Sequence, residues 1–137
     1  MRLATVTHEN QAKVMAALSD DTLLDLGKAA ENAGEDSEQF GDMLALINAG
    51  QAGLEAAKSL IAAADPTATV ATSSVAFLPP IMPVQYRDCL VFEEHLINGF
   101  EQASKISGRK FDIPPVWYDQ PIYYKGNRMS FIGHGTD

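Results

Sequence analysis

An amphipathic stripe between residues 38 and 64 constrains the fold of this chain more than any other feature of its sequence. Apolar side chains recur there with the three- and four-residue spacing of one buried helix face: Met43, Ile47, Leu54, Ala57 and Ile61. Gly50 and Gly53 weaken a helix interior, so we expect a break or close packing between residues 48 and 53. Asp65-Pro66 ends the helix because proline cannot continue it. The stripe indicates a packed core and not a cofactor site.

Shorter patterns flank this helix on both sides. Residues 2–6 and 12–18 predict two strands that pair around a polar turn, although the second segment also fits a helix. Asp21 offers a helix cap, and the helix formers after it predict a short helix near residues 25–31. A strand is expected at 75–78, between polar residues and a run of prolines.

The rest of the chain differs in character. Residues 88–105 repeat apolar side chains at helical spacing and stop before Gly108, which predicts a second long helix. The tail from residue 113 is rich in proline, aromatic residues and glycine, which predicts extended segments and tight turns. We therefore expect an α+β fold with a small N-terminal strand and helix unit, residues 1–74, and the beginning of a second domain, residues 75–137.

Charge and cysteine content exclude several classes of function. A formal net charge of -8 repels phosphate backbones and anionic membrane surfaces, so neither nucleic acid nor membrane is expected as a partner. Cys89 is the only cysteine, which excludes an intramolecular disulfide and favours a reducing, cytoplasmic location. No apolar run has the length of a membrane span.

Two clusters of side chains could carry chemistry. Asp88 and His95 are seven residues apart, so on one continuous helix they share a face about 10 Å apart. This spacing suits a metal-holding carboxylate and a histidine that activates water, but a helix cap and a surface histidine have the same pattern. Tyr123, Tyr124 and Lys125 could hold an anionic substrate, or form a strand with one tyrosine buried and the other exposed.

Several segments, in order, resemble the fumarylacetoacetate hydrolase family. They are Leu78-Pro-Pro-Ile81, Tyr86-Arg-Asp88, Phe92-Glu-Glu-His95, Pro115-Val-Trp-Tyr118, Pro121-Ile-Tyr-Tyr-Lys-Gly-Asn127 and Ile132-Gly-His-Gly135. The match is good over residues 75–137 and loose before them. The resemblance implies a hydrolase that cleaves carbon–carbon bonds in dicarbonyl or acylpyruvate-type acids with Mg²⁺, Mn²⁺ or Ca²⁺.

The resemblance also implies a role for individual residues. Asp88 matches the first metal-ligating aspartate, and His95 matches the histidine that activates water. Tyr124, just before Lys125, matches a substrate-contacting tyrosine. In this chemistry the metal polarises the substrate carbonyl and stabilises the enolate that is left when the bond breaks. Leu90 replaces a second tyrosine of members that act on fumarylacetoacetate, which favours another substrate of the family.

The family's Glu-x-Glu pair and its later metal ligand would follow Asp137. We therefore expect the 137-residue chain alone to be inactive, to bind no metal by itself, and to be completed by a C-terminal segment. Alternatives are a non-catalytic interaction module and one half of a split enzyme. Apolar residues of the tail are expected to drive association, including homo-oligomer formation: Trp117, Tyr118, Ile122 and Phe131.

Overall fold

The structure, a computed structural model, describes residues 1–136 and has the predicted α+β class. Its described residues form two compact units: unit 1 is Met1–Met82 with residues 131–136, and unit 2 is Pro83–Ser130. The strands are β1 (Leu3–His8), β2 (Gln11–Ala17), β3 (Thr22–Asp25), β4 (Thr69–Ala71), β5 (Ala76–Phe77), β6 (Arg87–Cys89) and β7 (Tyr123–Lys125). The helices are α1 (Leu26–Ala33), α2 (Met43–Asn48), α3 (Gly50–Ala63), α4 (Glu93–Ser107) and α5 (Val116–Asp119). The division into a small unit at residues 1–74 and the beginning of a catalytic domain at residues 75–137 stays a prediction.

The first two strands form the expected hairpin. They pair antiparallel from Leu3 opposite Ala16 to His8 opposite Gln11. Glu9 and Asn10 form the two-residue turn with φ of 51° and 61°, the left-handed conformation that such a turn requires. The helical alternative for the second segment was therefore wrong.

Unit 1 is built on a curled antiparallel sheet with the strand order β4-β3-β2-β1-β5. Strand alternation sends Val14 and Ala16 into a core with the helices, while Met15 between them packs with Val6 and Leu23 on the opposite face. Both faces of the central strand are thus buried. The two short strands β3 and β4 were not predicted, because three or four residues carry too little alternation.

A buried carboxylate joins the sheet to the first helix. Asp25, and not Asp21, caps α1: its Oδ1 accepts a hydrogen bond from the Lys28 backbone N–H at 3.0 Å. Its Oδ2 lies 3.1 Å from Lys13 Nζ, and only 5% of the Asp25 side chain is exposed. Both carboxylate oxygens are therefore used in fastening β2, β3 and α1 together.

The long apolar stripe breaks near the glycines, as expected, but one residue of its predicted core face was wrong: Ile47 is 56% exposed, and Leu46 beside it is buried instead. The stripe is divided into α2 and α3 at Gly50, which has a φ of 60°. A Cβ on Gly53 would lie 2.8 Å from that of Ala49, so the glycine permits close packing of the two helices. Ala64 ends α3 in the left-handed conformation, and Asp65 caps the short 3-10 helix Pro66–Ala68.

The residues from 131 to 136 also belong to unit 1. A Cβ on Gly133 would lie 1.7 Å from the carbonyl oxygen of Phe77, so only glycine fits against this strand. The His134 ring meets the Phe77 ring edge to face, with the ring centres 6.2 Å apart. Close backbone contact therefore holds this segment beside β5.

Unit 2 consists of the β6–β7 ribbon, α4 and α5. The predicted helix over 88–105 was wrong at its start: β6 occupies residues 87–89, and α4 begins at Glu93. Pairing with β7, more than thirty residues away, overrides the helical spacing. Gly108 ends α4 in the left-handed conformation, as expected. Helix α5 forms where the sequence predicted only extended segments and turns.

No helix among the described residues is long and apolar enough to cross a membrane.

Candidate functional site

The β6–β7 ribbon carries two of the residues that the family resemblance selected. Asp88 is paired directly with Tyr124 across the two strands. Directly paired residues of antiparallel strands project from the same face, with Cβ atoms about 5 Å apart. The carboxylate and the phenol therefore share one surface, although they are 36 positions apart in the sequence.

The opposite face of the ribbon carries basic and aromatic groups. Arg87 is paired with Lys125, and Cys89 with Tyr123. The guanidinium carbon of Arg87 lies 5.0 Å from the centre of the Tyr123 ring, a cation–π contact. Alternation thus places Lys125 on the face away from Tyr124, its neighbour in the sequence.

Both tyrosines of the ribbon are exposed, which corrects the expectation that one of them is buried. Tyr123 is 47% exposed and Tyr124 is 69% exposed. Every residue of β6 and β7 is exposed, so neither tyrosine lies on a buried face of the ribbon. Their hydroxyl groups are consequently accessible to a ligand.

His95 lies in the first turn of α4, and its side chain is exposed. Asp88 lies on β6, so the two residues belong to different elements and the 10 Å axial distance of a shared helix does not apply. Three residues, 90–92, connect the strand to the helix. The structure thus brings Asp88 and Tyr124 together and places His95 at the start of the next element.

Two hydrogen bonds to the Leu90 backbone hold this connection. The Leu90 N–H donates to the carbonyl of Ile122 at 2.9 Å, and the Trp117 indole N–H donates to the carbonyl of Leu90 at 2.7 Å. The Trp117 ring is also in edge-to-face contact with Tyr118, at 4.9 Å between centres. Leu90 therefore links β7 and α5 to the segment that leads to His95.

A second polar pair was not predicted from sequence. The Tyr118 hydroxyl donates a hydrogen bond to the Glu93 carboxylate at the start of α4. This bond, with a smaller effect of desolvation and of the charge on Glu93, raises the pKa of Tyr118 above its usual value. No local sequence pattern indicates this contact, because the two residues are 25 positions apart.

A groove with a volume of about 640 Å³ runs along α4 in unit 2. Phe100 and Phe111 lie on its apolar side with ring centres 6.4 Å apart, and Glu93 and Tyr118 contribute polar groups. Asp88, His95 and Tyr124 do not line it. The groove and the face selected by the resemblance are therefore different surfaces.

A complete metal centre does not form from these residues. Among residues 1–136 no group of three or more His, Cys, Asp and Glu side chains is arranged to hold a metal ion. Mg²⁺ and Ca²⁺ need six or more oxygen ligands and usually more than one carboxylate. Asp88 alone does not meet this requirement, so the described donor set does not fit the ion that the resemblance implies.

Comparison with known proteins does not assign the chain to a family. No protein-family model matches the chain, and no curated protein matches it.

Proposed function

We propose that this chain contributes catalytic side chains to a fumarylacetoacetate-hydrolase-type enzyme that hydrolyses a carbon–carbon bond in a dicarbonyl or acylpyruvate-type acid. The observation that supports the proposal is the direct pairing of Asp88 with Tyr124. Two residues that the resemblance selected from separate motifs occupy one exposed face. An exposed free thiol at Cys89 agrees with a cytoplasmic location for such an enzyme.

Each residue has a distinct chemical task in this proposal. The exposed imidazole of His95 takes a proton from the attacking water, because histidine exchanges protons most readily near neutral pH. The Tyr124 hydroxyl donates a hydrogen bond to a substrate oxygen on which negative charge develops. Lys125 lies on the other face of the ribbon, and its contact with the same substrate remains a prediction from the sequence cluster of Tyr123, Tyr124 and Lys125.

Metal binding in the proposed enzyme needs ligands from outside residues 1–136. Asp88 supplies one carboxylate, and further carboxylates must come from another segment or from a partner chain. We propose no reaction step through a metal ion held by the described residues. Activity of the proposed enzyme therefore requires additional polypeptide that supplies the other metal ligands.

The proposal is tested by measuring turnover with the protein isolated from its source cells, together with any polypeptide that stays bound to it. Acetylpyruvate is a suitable 2,4-dioxo acid, because its enol absorbs in the ultraviolet and the absorbance is lost on cleavage. We expect hydrolysis by the wild type and a decrease in kcat of about 10²–10⁴-fold in His95→Ala, the usual contribution of a general base. Metal affinity should change little in this variant.

His8→Ala is the matched control, since His8 lies at the end of β1 in unit 1, outside the proposed site. It should leave kcat unchanged. Equal turnover in wild type and His95→Ala would disprove the role of His95. If the isolated wild-type protein cleaves no 2,4-dioxo acid, the hydrolase proposal itself is wrong.

A second candidate function is a non-catalytic interaction module, and the exposure of unit 2 favours it. Leu96 is the single buried hydrophobic residue among the described residues of this unit. Large apolar side chains elsewhere in the unit are exposed: Val84, Val91, Phe92, Ile106, Tyr118 and Met129. A surface of this kind is typical of a face that another polypeptide covers.

Charge supports the same candidate. Acidic and basic side chains of residues 83–130 are equal in number, so the net charge of -8 resides in the remainder of the chain. A neutral, apolar surface does not repel a second copy. Sedimentation of the chain over a range of concentrations distinguishes the candidates. A stable oligomer without hydrolase activity in the isolated native protein favours the module.

A further inference from the structure

The basic face of the β6–β7 ribbon, defined by Arg87 and Lys125, lies opposite the face of Asp88 and Tyr124, and its pair of cations has no role in the proposed proton transfer. The two cations are direct cross-strand partners. Like charges in this arrangement repel each other and destabilise the strand pair. Among residues 1–136 neither side chain forms an ion pair with a carboxylate. Asp88, the nearest acidic residue in the sequence, projects from the opposite face.

Arg87 is held in a defined orientation. One of its terminal amino groups donates to the Tyr86 carbonyl at 2.9 Å, and the Tyr123 ring lies 5.0 Å from the guanidinium carbon. Arginine has five N–H donors, so donors remain for a ligand after the backbone contact is made. A guanidinium oriented in advance loses less conformational freedom when it binds an oxyanion.

We propose that this face binds a small divalent oxyanion, a dicarboxylate or a phosphate group. Two oxygens of the anion receive paired hydrogen bonds from the Arg87 guanidinium, and the Lys125 ammonium neutralises the second charge. The bound dianion removes the repulsion between the strands, so binding also stabilises the β6–β7 pair. The site lies on the other face from Asp88 and Tyr124, and it does not depend on the hydrolase proposal.

Amide NMR on the ¹⁵N-labelled 137-residue chain tests the site, with sodium malonate as the probe and ionic strength held constant with sodium chloride. We expect saturable shifts of the ribbon amides, centred on Arg87 and Lys125. Acetate, a monoanion, should bind more weakly than malonate. Inorganic phosphate provides the second arm: tighter binding of phosphate identifies a phosphate ligand, and tighter binding of malonate identifies a dicarboxylate.

Substitutions distinguish malonate binding at this site from a general attraction of anions to the positive charges of the protein. Lys125→Gln should weaken malonate binding about tenfold, the loss of one charge-assisted hydrogen bond. Lys105→Gln removes the same charge from an exposed position on α4 and should leave binding unchanged. Arg87→Lys keeps the charge but lacks the paired donors, and it should also bind more weakly.

Three results would overturn the proposal. One is a shift that rises linearly with malonate without saturating. Another is equal affinity in Lys125→Gln and the wild type, and the third is an equal loss of affinity in the Lys105→Gln control. If Lys125→Gln does not fold, wild-type affinity in Arg87→Lys would by itself contradict the paired contact.

Discussion

Asp25 performs two structural tasks, and replacing it should destabilise unit 1 more than any exposed helix cap does. One carboxylate oxygen caps α1 through Lys28, and the other pairs with Lys13. The Asp25 side chain is 5% exposed, and the Lys13 side chain is 25% exposed. Asp25→Ala therefore removes a cap and leaves a partly buried ammonium without its partner.

The two contributions can be estimated separately. Loss of a helix cap costs about 1 kcal/mol. Breaking a fully buried ion pair costs about 3–5 kcal/mol and breaking an exposed pair less than about 1 kcal/mol, so this partly exposed pair should contribute about 2 kcal/mol. We expect Asp25→Ala to lower the free energy of unfolding by about 3 kcal/mol. Asp25→Asn retains a capping oxygen and should lose about 2 kcal/mol.

Urea unfolding at pH 7, followed by amide NMR signals of α1 and β2, measures these changes in unit 1 directly. Asp42→Ala is the matched control, because Asp42 is an exposed cap of α2 that accepts a hydrogen bond from the Ala45 N–H at 2.8 Å. It should lose about 1 kcal/mol. If Asp25→Ala costs no more than Asp42→Ala, the pair with Lys13 adds nothing and the reasoning is refuted.

Two further predictions concern a close backbone contact and a titrating pair. Gly133→Ala should separate residues 131–136 from β5, because the added Cβ would lie 1.7 Å from the Phe77 carbonyl oxygen. Nuclear Overhauser effects between residues 131–136 and Phe77 should then disappear. Gly99→Ala, with no atom within 4 Å of the added Cβ, should instead stabilise α4 by about 1 kcal/mol, and equal effects of the two changes would contradict the steric argument. Glu93→Gln should lower the pKa of Tyr118 toward its usual value, as measured by ¹³C NMR of labelled tyrosine, whereas an unchanged pKa would exclude Glu93 as the cause. Because the folded-state pKa of Tyr118 is raised, its stabilising contribution is present at neutral pH and is lost as the pH rises through that value.

Local patterns were sufficient for much of unit 1. The left-handed turn at Glu9 and Asn10, the break at Gly50 and the end of α3 before Pro66 depend on residues that are close in sequence. A turn, a break at glycine and a stop at proline are decided within a few residues, so sequence reasoning finds them. Asp25 was missed as the cap because the three residues before it pair with the distant strand β4 instead of starting the helix.

Non-local pairing explains the error at the candidate site. The side chains of Cys89, Phe92 and Leu96 have helical spacing, yet residue 89 belongs to β6 and pairs with Tyr123. No pattern near residue 88 reveals that partner. Family resemblance selected Asp88 and Tyr124, but their shared face, and the separate face of Lys125, follow only from the strand register.

The placement of the single tryptophan has a practical consequence for spectroscopy. Trp117 lies in unit 2, with its indole N–H bonded to a backbone carbonyl and its ring against Tyr118. Its emission spectrum therefore reports the solvent environment of unit 2, while unit 1 is silent under selective excitation of indole. Comparing emission with the circular dichroism of the whole chain would reveal whether the two units melt in one transition or in two.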